Sequence, residues 1–203
     1  MKLGVLAGET SGDILGAALV NEFQSRQTPL VLNGVGGPLL EACGLDSLCP
    51  MDRLAVMGLV EPLKRLPELL RIRRAVYEQQ VRFQPDCFLG IDSPDFNLTL
   101  ERRLRAQGLT TAHLVSPSVW AWRAGRLKTI ARSVDLMLCL LPFELPIYQR
   151  AGIPAVCVGH PLIEQLAALP PRSEARTLLG LDATETVLAV LPGSRASEVS
   201  ALI

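Results

Sequence analysis

Short, continuous apolar runs recur along the chain, and each ends at glycine, serine, aspartate or proline. The clearest are Leu3 to Ala7, Leu30 to Val35 and Cys87 to Ile91. These runs are too short and too uniformly apolar for amphipathic helices, and they are typical of strands buried on both faces of a parallel sheet. Segments of mixed polarity between them predict crossover helices. The pattern therefore predicts an α/β fold built on a parallel sheet.

The same alternation of strands and helices continues to residue 168. Further strands are predicted at 110–115, 134–140 and 153–158, and helices after Gly8, over 68–82, from Pro94 and over 142–150. Two consecutive prolines after Leu169 then indicate a stiff linker. Beyond it the sequence predicts a helix near Ser173 and a strand from Glu185 to Leu191. We predict one domain over 1–168, and over 169–203 a linker with the start of a second domain.

The central apolar run places a carboxylate, Asp92, where a strand should give way to a helix. Ser93 is predicted to cap that helix, and Pro94 suits its first position because the amide there has no intrahelical partner. Open α/β sheets bind ligands at the carboxyl ends of their strands, which makes Asp92 a candidate general base. The alternative is that Asp92 and Asp95 only complement the helix dipole.

The first strand leads into a glycine-containing turn, Gly8 to Asp13. Its glycines would let the backbone approach a ligand closely, and Ser11 or Asp13 is predicted to cap the following helix. A tight turn without any ligand is the alternative. Neither this turn nor the one at Gly34 to Pro38 has the G-x-G-x-x-G spacing, which disfavours a nicotinamide dehydrogenase.

Two further strand exits carry candidate binding residues. Both tryptophans of the chain, Trp120 and Trp122, follow the strand at 110–115, where they either fill the core or line a sugar and lipid pocket. The cations after them, Arg123, Arg126, Lys128 and Arg132, are predicted to form a solvated helix face. His160 follows the strand at 153–158 and is either a site residue or a structural histidine.

The last strand exit has anion-binding character. Gly193, Ser194 and Arg195 follow the predicted strand at 185–191 and lead into a helix. Free backbone amides, the helix dipole and an arginine together favour a diphosphate.

An apolar segment with neighbouring cations occupies residues 51–66. Its apolar members, Val56, Met57, Leu59 and Val60, lack clean alternation, while Lys64 and Arg65 adjoin them. This combination predicts a patch that faces a lipid surface. The next residues, 68–82, predict a helix packed on the sheet.

Bulk composition narrows the class of partner. Twenty basic and twenty acidic residues cancel, so the sequence predicts no nucleic-acid partner. Hydrophobic residues make up 49% and aromatic residues only 4%, as expected for an aliphatic α/β core. The five cysteines lack C-x-x-C spacing and are interpreted as reduced thiols in a reducing cytoplasm. No apolar run approaches the ~18 residues of a spanning helix, so we expect a soluble or peripheral protein.

Seven motifs in a fixed order resemble those of a known family. They are Ala7-Gly-Glu-Thr-Ser-Gly-Asp13, Leu54-Ala-Val-Met-Gly58, Gly90-Ile-Asp-Ser-Pro-Asp-Phe-Asn97, Ser116-Pro-Ser-Val-Trp-Ala-Trp-Arg123, Leu141-Pro-Phe-Glu144, Gly159-His160 and Leu191-Pro-Gly-Ser-Arg195. Together they resemble the lipid-A-disaccharide synthase family of inverting glycosyltransferases. The resemblance implies the GT-B fold, with a Rossmann-like N-terminal domain that binds the acceptor and a second Rossmann-like domain that binds the donor nucleotide.

The resemblance also implies a reaction and a set of roles. UDP-2,3-diacylglucosamine would glycosylate the 6-hydroxyl of 2,3-diacylglucosamine 1-phosphate, giving a β-1,6 disaccharide of lipid A and UDP, without metal or cofactor. Asp92 would be the catalytic carboxylate, and Gly193, Ser194 and Arg195 would hold the donor diphosphate. The remaining candidates for substrate binding are Gly8, Ser11, Asp95, Asn97, Trp120, Trp122, Arg123 and His160. The expected location is the cytoplasmic face of the inner membrane of a Gram-negative bacterium. The sequence leaves open whether the protein forms a homodimer.

Members of this family are about twice as long as the present chain, so we expect a fragment that contains the acceptor half. Two alternatives stay open. One is another UDP-sugar enzyme of the GT-B fold, such as the peptidoglycan N-acetylglucosaminyltransferase or a UDP-sugar epimerase, although these lack the Ser-Pro-Ser-Val-Trp-Ala-Trp loop. The other is a non-catalytic module that binds a lipid-linked sugar.

Overall fold

The computed structural model describes residues 1–54, 60–120, 125–192 and 199, without the side chains of 60–64 and 165. Its strands are β1 (Lys2–Ala7), β2 (Val31–Val35), β3 (Asp46–Ser47), β4 (Cys87–Ile91), β5 (Thr111–Leu114), β6 (Leu136–Cys139) and β7 (Ala155–Cys157). Its α-helices are α1 (Thr10–Ser25), α2 (Pro38–Ala42), α3 (Val60–Phe83), α4 (Pro94–Arg105), α5 (Arg126–Ser133), α6 (Leu145–Arg150), α7 (Leu162–Ala167) and α8 (Arg172–Leu178). Short 3-10 turns cover Met51–Arg53 and Pro142–Glu144.

All seven strands form one parallel sheet in the order β3-β2-β1-β4-β5-β6-β7. The strand order reverses between β1 and β4, which pair from Leu3 with Cys87 to Ala7 with Ile91. In open α/β sheets the crevice beyond such a reversal is where ligands bind. The predicted α/β fold with a parallel sheet is confirmed, and the exits of β1 and β4 flank this crevice.

Helices cover both faces of the sheet, which explains why the strands are continuously apolar. Val5 and Leu6 are neighbours on β1 and both are fully buried, yet they belong to different core clusters. Val5 packs with residues of α1 and α2, whereas Leu6 packs with residues of α3 and α4. A third cluster, which includes Ile130, Met137 and Tyr148, joins α5, β6 and α6.

The chain divides into two compact units, Met1–Pro161 and Leu162–Ile203. The division precedes α7, a helix that the sequence did not predict, whereas our predicted boundary followed residue 168. The predicted strand from Glu185 to Leu191 was wrong: no strand forms there, and Leu188 and Leu191 are more than 85% exposed. A parallel strand needs neighbours for its ladder, and within 162–192 the structure describes none.

Two bulk expectations concern cysteine and membrane spans. All five cysteines are free thiols. None of the described helices is both long enough and apolar enough to cross a membrane.

Candidate active site

The exits of β4 and β5 share an unusual left-handed backbone. Asp92 and Ser93 have φ of 52° and 43°, and Val115 has φ of 80°. The sheet ladder continues up to these residues, since the amide of Asp92 donates to the Leu114 carbonyl at 2.9 Å. Left-handed conformations cost non-glycine residues about 1–3 kcal/mol each and concentrate at functional sites. The strain therefore marks this sheet edge as a candidate site.

Ser93 occupies the cap position of α4, but the predicted side-chain cap was wrong. Its left-handed backbone (φ 43°, ψ 54°) is incompatible with the extended conformation of a serine cap, and its hydroxyl makes no capping hydrogen bond. Pro94 begins the helix as predicted.

Asn97 holds this turn in place. It is fully buried, and its side-chain amide donates to the carbonyls of Asp92 at 2.8 Å and Ile91 at 3.2 Å. Asn97 is one of the predicted substrate-binding residues, and in the structure its contacts hold the backbone of the turn that carries Asp92.

A cavity of about 240 Å³ lies beside Asp92 on the β5 side of α4. This polar cavity is lined by Asp92, Pro94, Val115, Ser116, Pro117, Ser118 and Arg126. Arg126 was predicted to be solvated, but its side chain is only 19% exposed and forms an ion pair with Asp95. The polar cavity thus places a carboxylate, a guanidinium and two serines around one space.

A buried tyrosine fixes the serine wall of the polar cavity. The hydroxyls of Ser116 and Tyr148 lie 2.7 Å apart, and Tyr148 is fully buried. Burial raises the pKa of Tyr148 to about 12, so the phenol stays neutral and can donate to Ser116.

A second cavity, of about 400 Å³, lies on the other side of Pro94. This apolar cleft is lined by Glu9, Leu54, Leu66, Leu69, Leu70, Arg73, Ser93, Pro94, Asp95 and Phe96. Leu66 and Leu70 follow one another by a helical turn on α3 and are 46% and 45% exposed. Arg73 covers the ring of Phe96, with its guanidinium carbon 5.6 Å from the ring centre.

The exit of β1 meets the exit of β4 at Gly8. A side chain there would place its Cβ 2.9 Å from the Ser93 hydroxyl, so glycine permits the close approach of the two turns. Ser11 is exposed on the first turn of α1. Asp13 does not cap α1, because Glu9 occupies the cap position. The buried carboxylate of Asp13 accepts hydrogen bonds from backbone amides at the start of α2, those of Gly37, Leu39 and Leu40.

The structure describes two of the other predicted site residues, Trp120 and His160. Trp120 is 56% exposed and packs edge to face on Phe143, with ring centres 5.5 Å apart. His160 is half-buried just beyond β7. Gly8, Asp92, Trp120 and His160 therefore all follow the carboxyl ends of strands of one sheet.

Several predicted residues lie outside the described part of the chain. These are Trp122, Arg123, Gly193, Ser194, Arg195, Val56, Met57 and Leu59. Val60 begins α3, and its side chain also lies outside the described set.

A buried carboxyl and imidazole beneath α4 were missed by the sequence analysis. Glu101 Oε1 and His113 Nδ1 lie 2.7 Å apart, and both side chains are fully buried. Burial raises the pKa of Glu101, an effect that His113 partly offsets. The pair fits because Gly90 carries no side chain: an added Cβ would lie 2.1 Å from Glu101 Oε1. Glu101 follows Asn97 by four residues, so a helical wheel places it on the buried face of α4.

Comparisons with known proteins identify the family. Residues 3–203 match the sequence model of the lipid-A-disaccharide synthetase family. The chain belongs to this family. It is 54% identical over 199 residues to a lipid-A-disaccharide synthase of Chromohalobacter salexigens, covering 98% of this chain and 52% of that protein. It is 50% identical over 202 residues to the one of Pseudomonas aeruginosa, covering 100% of this chain and 53% of that protein.

The chain spans about half the length of the curated relatives that it matches. Among solved structures, it resembles UDP-GlcNAc 2-epimerase from Neisseria meningitidis, with a TM-score of 0.58, 13% identity and coverage of 89% of this chain and 53% of that one. It also resembles UGT73P12 from Glycyrrhiza uralensis, with a TM-score of 0.52, 9% identity and coverage of 78% and 48%. These likenesses show the GT-B type of fold.

Proposed function

We propose that this chain forms the acceptor half of a lipid-A-disaccharide synthase. The observation that carries the proposal is the position of Asp92, which stands on a strained turn beside a polar cavity while an apolar cleft opens across Pro94. The substrate pair would be UDP-2,3-diacylglucosamine and 2,3-diacylglucosamine 1-phosphate. Such an acceptor combines a sugar with acyl chains. Four of the seven residues that line the polar cavity are polar, and six of the ten that line the apolar cleft are apolar.

The proposed reaction is one in-line displacement with inversion. The Asp92 carboxylate takes the proton from the acceptor 6-hydroxyl as that oxygen bonds to the anomeric carbon of the donor. The bond from this carbon to the diphosphate oxygen breaks, and UDP leaves. Gly193, Ser194 and Arg195 are proposed to stabilise the departing diphosphate through backbone amides and a guanidinium.

The remaining candidates are proposed to bind the acceptor sugar. Gly8 and Ser11 lie on the turn after β1, Trp120 and His160 follow β5 and β7, and Trp122 and Arg123 belong to the same loop as Trp120 in sequence. Aromatic rings offer sugars an apolar face. Asp95 contributes indirectly, through its ion pair with Arg126.

We further propose that the protein works at the cytoplasmic face of the inner membrane as a peripheral protein. The apolar members of the predicted lipid-facing patch, Val56, Met57, Leu59 and Val60, would contact the lipid surface. The exposed leucines of the apolar cleft support this location, because a diacylated acceptor must leave a bilayer to reach Asp92.

The substitution Asp92→Asn tests the proposal in a chimera in which residues 1–203 replace the matching segment of the Pseudomonas aeruginosa relative. The amide keeps the shape of the carboxylate but accepts no proton, so disaccharide formation should fall about 10²- to 10⁴-fold. Asp46→Asn, an exposed carboxylate on β3, is the matched control and should retain activity.

Turnover of Asp92→Asn within a few-fold of the unsubstituted chimera would show that Asp92 only supports the helix. The alternative is a non-catalytic module that binds a lipid-linked sugar. Binding of the acylated acceptor by an unsubstituted chimera that makes no disaccharide, beside an active full-length relative, would support that module.

A further inference from the structure

Arg126 differs from the other cations of its helix in being largely withdrawn from water. Its side chain is 19% exposed and lines the polar cavity, whereas Lys128 and Arg132 on the same helix are exposed. Withdrawing a guanidinium from water is costly unless an anion compensates it. Asp95 supplies one such anion, and because Arg126 also lines the polar cavity, a ligand anion bound there can supply another.

Among the described residues, Asp95 is the side chain paired with Arg126, and it competes weakly with a ligand phosphate. Asp95 meets Arg126 through one terminal nitrogen, Nη2, while a guanidinium carries five N–H donors. The Asp95 side chain is 82% exposed, and exposed carboxylates contribute little to an ion pair. A phosphate offers three oxygens to the planar guanidinium and bonds it in a bidentate manner. A ligand phosphate can thus compete with Asp95 for Arg126.

Asp92 lines the same cavity. A ligand that fills this space therefore meets a carboxylate, a guanidinium and two serines. A phosphate placed near Asp92 would be repelled, whereas a hydroxyl there would donate a hydrogen bond. The lining suits a molecule that carries both a hydroxyl and a phosphate.

We propose that Arg126 determines acceptor specificity by binding the anomeric phosphate of the acceptor sugar, while Asp92 accepts a hydrogen bond from the 6-hydroxyl of the same sugar. This inference rests on the proposed function and adds the residue that selects a sugar phosphate over the uncharged sugar. At about 240 Å³ the polar cavity has room for a single sugar ring, and the acyl chains extend past Pro94 into the apolar cleft. Asp95 competes with the ligand phosphate for the same guanidinium.

Calorimetry on the 203-residue chain tests the assignment with water-soluble probes. Wild type should bind glucosamine 1-phosphate at least tenfold more tightly than glucosamine. Arg126→Gln should lose about 10- to 100-fold in affinity for glucosamine 1-phosphate and keep its affinity for glucosamine. Arg132→Gln, on the exposed end of the same helix, should match wild type. Asp95→Asn removes the competing carboxylate and should strengthen glucosamine 1-phosphate binding a few-fold.

Two further probes separate the sources of phosphate. Inorganic phosphate that binds as tightly as glucosamine 1-phosphate overturns the sugar-phosphate assignment. If Arg126→Gln weakens the binding of UDP-N-acetylglucosamine and leaves that of glucosamine 1-phosphate unchanged, Arg126 binds the donor, and the acceptor assignment is overturned as well. Should Arg126→Gln lower the melting temperature, Arg126→Lys keeps the charge without the bidentate fork and should show an intermediate affinity.

The chimera separates this inference from the proposed function. With 2,3-diacylglucosamine 1-phosphate as acceptor, Arg126→Gln should raise KM and leave kcat within a few-fold; with 2,3-diacylglucosamine it should change neither. If the unsubstituted chimera makes disaccharide and Arg126→Gln lowers kcat/KM equally with both acceptors, the role of Arg126 is overturned and the proposed function stands. Absence of disaccharide with an active relative overturns the function, while the calorimetry still reports on Arg126.

Discussion

The polar cavity and the apolar cleft adjoin at Pro94 but are built in different ways. The walls of the polar cavity come from two strand exits with left-handed backbone and from a paired arginine. The apolar part of the cleft lining comes from Leu54, Pro94, Phe96 and three leucines of α3, of which Leu66 and Leu70 are half-exposed. Ligand binding in the polar cavity should therefore depend on the fixed positions of a few polar groups. Binding in the apolar cleft should depend on how much exposed leucine surface a ligand covers. Substitutions should affect the two sides separately, unless they reach the turn that both share.

The largest expected effect comes from that shared turn. Asn97→Ala removes the amide that holds the Ile91 and Asp92 carbonyls, and leaving buried carbonyls without donors costs about 2–3 kcal/mol. We expect this loss in the free energy of unfolding by urea, together with weaker binding of both glucosamine 1-phosphate and acylated acceptor. Tryptophan fluorescence reports the first unit alone, because both tryptophans belong to Met1–Pro161.

Asn21→Ala is the matched control for Asn97, since Asn21 is exposed on α1 and should change stability by less than about 0.5 kcal/mol. If both asparagine variants unfold at the same urea concentration, the Asn97 amide does not hold the turn.

The next effect should be confined to the apolar cleft. In the double variant Leu66→Ser and Leu70→Ser, each half-exposed leucine gives up about 1 kcal/mol of contact with an acyl chain. The affinity for 2,3-diacylglucosamine 1-phosphate should fall roughly 30-fold, while glucosamine 1-phosphate binds as before. Leu39→Ser on α2, which is 46% exposed outside the cleft, is the control. An equal loss for acylated and acyl-free ligands would show that the two cavities are not separable.

The smallest effect should arise beneath the polar side, at Glu101, which touches neither cavity. Burial raises the pKa of this carboxyl above its ordinary 4.5, so the folded protein binds the proton more tightly than the unfolded chain. The free energy of unfolding should therefore decrease as pH rises from about 4.5 towards the folded-state pKa. Glu101→Gln should remove this decrease.

Urea titrations between pH 4 and pH 8 measure the difference, with Glu22→Gln on the exposed face of α1 as the control. Parallel pH profiles of wild type and Glu101→Gln would contradict the raised pKa.

The sequence predicted the elements that hydrophobicity alone determines. β1 and β4 were placed within a residue or two because strands buried on both faces are continuously apolar, and Pro94 marked the start of α4. The position of Asp92 at the sheet edge follows from these boundaries. The strand predicted at 185–191 failed for a related reason: its residues have the right character, but a strand forms only against a neighbour.

Two details of the site depended on contacts that hydrophobic patterning does not predict. The sequence predicts Ser93 as a helix cap, yet its backbone is left-handed, and Asn97 donates to the Asp92 carbonyl just before it, five residues away. The sequence predicts Arg126 as a solvated cation, yet it pairs with Asp95, 31 residues away on another helix, and lines the polar cavity. The first contact depends on a left-handed turn and the second joins two helices, so the apolar pattern of the chain revealed neither.

The left-handed Val115 has a consequence for directed evolution. A β-branched residue at φ of 80° carries a conformational penalty that glycine would not. Glycine would relieve this penalty, but it would also remove the packing of the Val115 side chain against the core and add conformational freedom to the unfolded chain. Val115→Gly should therefore bring little gain in thermal robustness. Because Val115 also forms part of the wall of the polar cavity, glycine would in addition loosen that wall. A library screened on heat resistance should thus retain valine at this strained position.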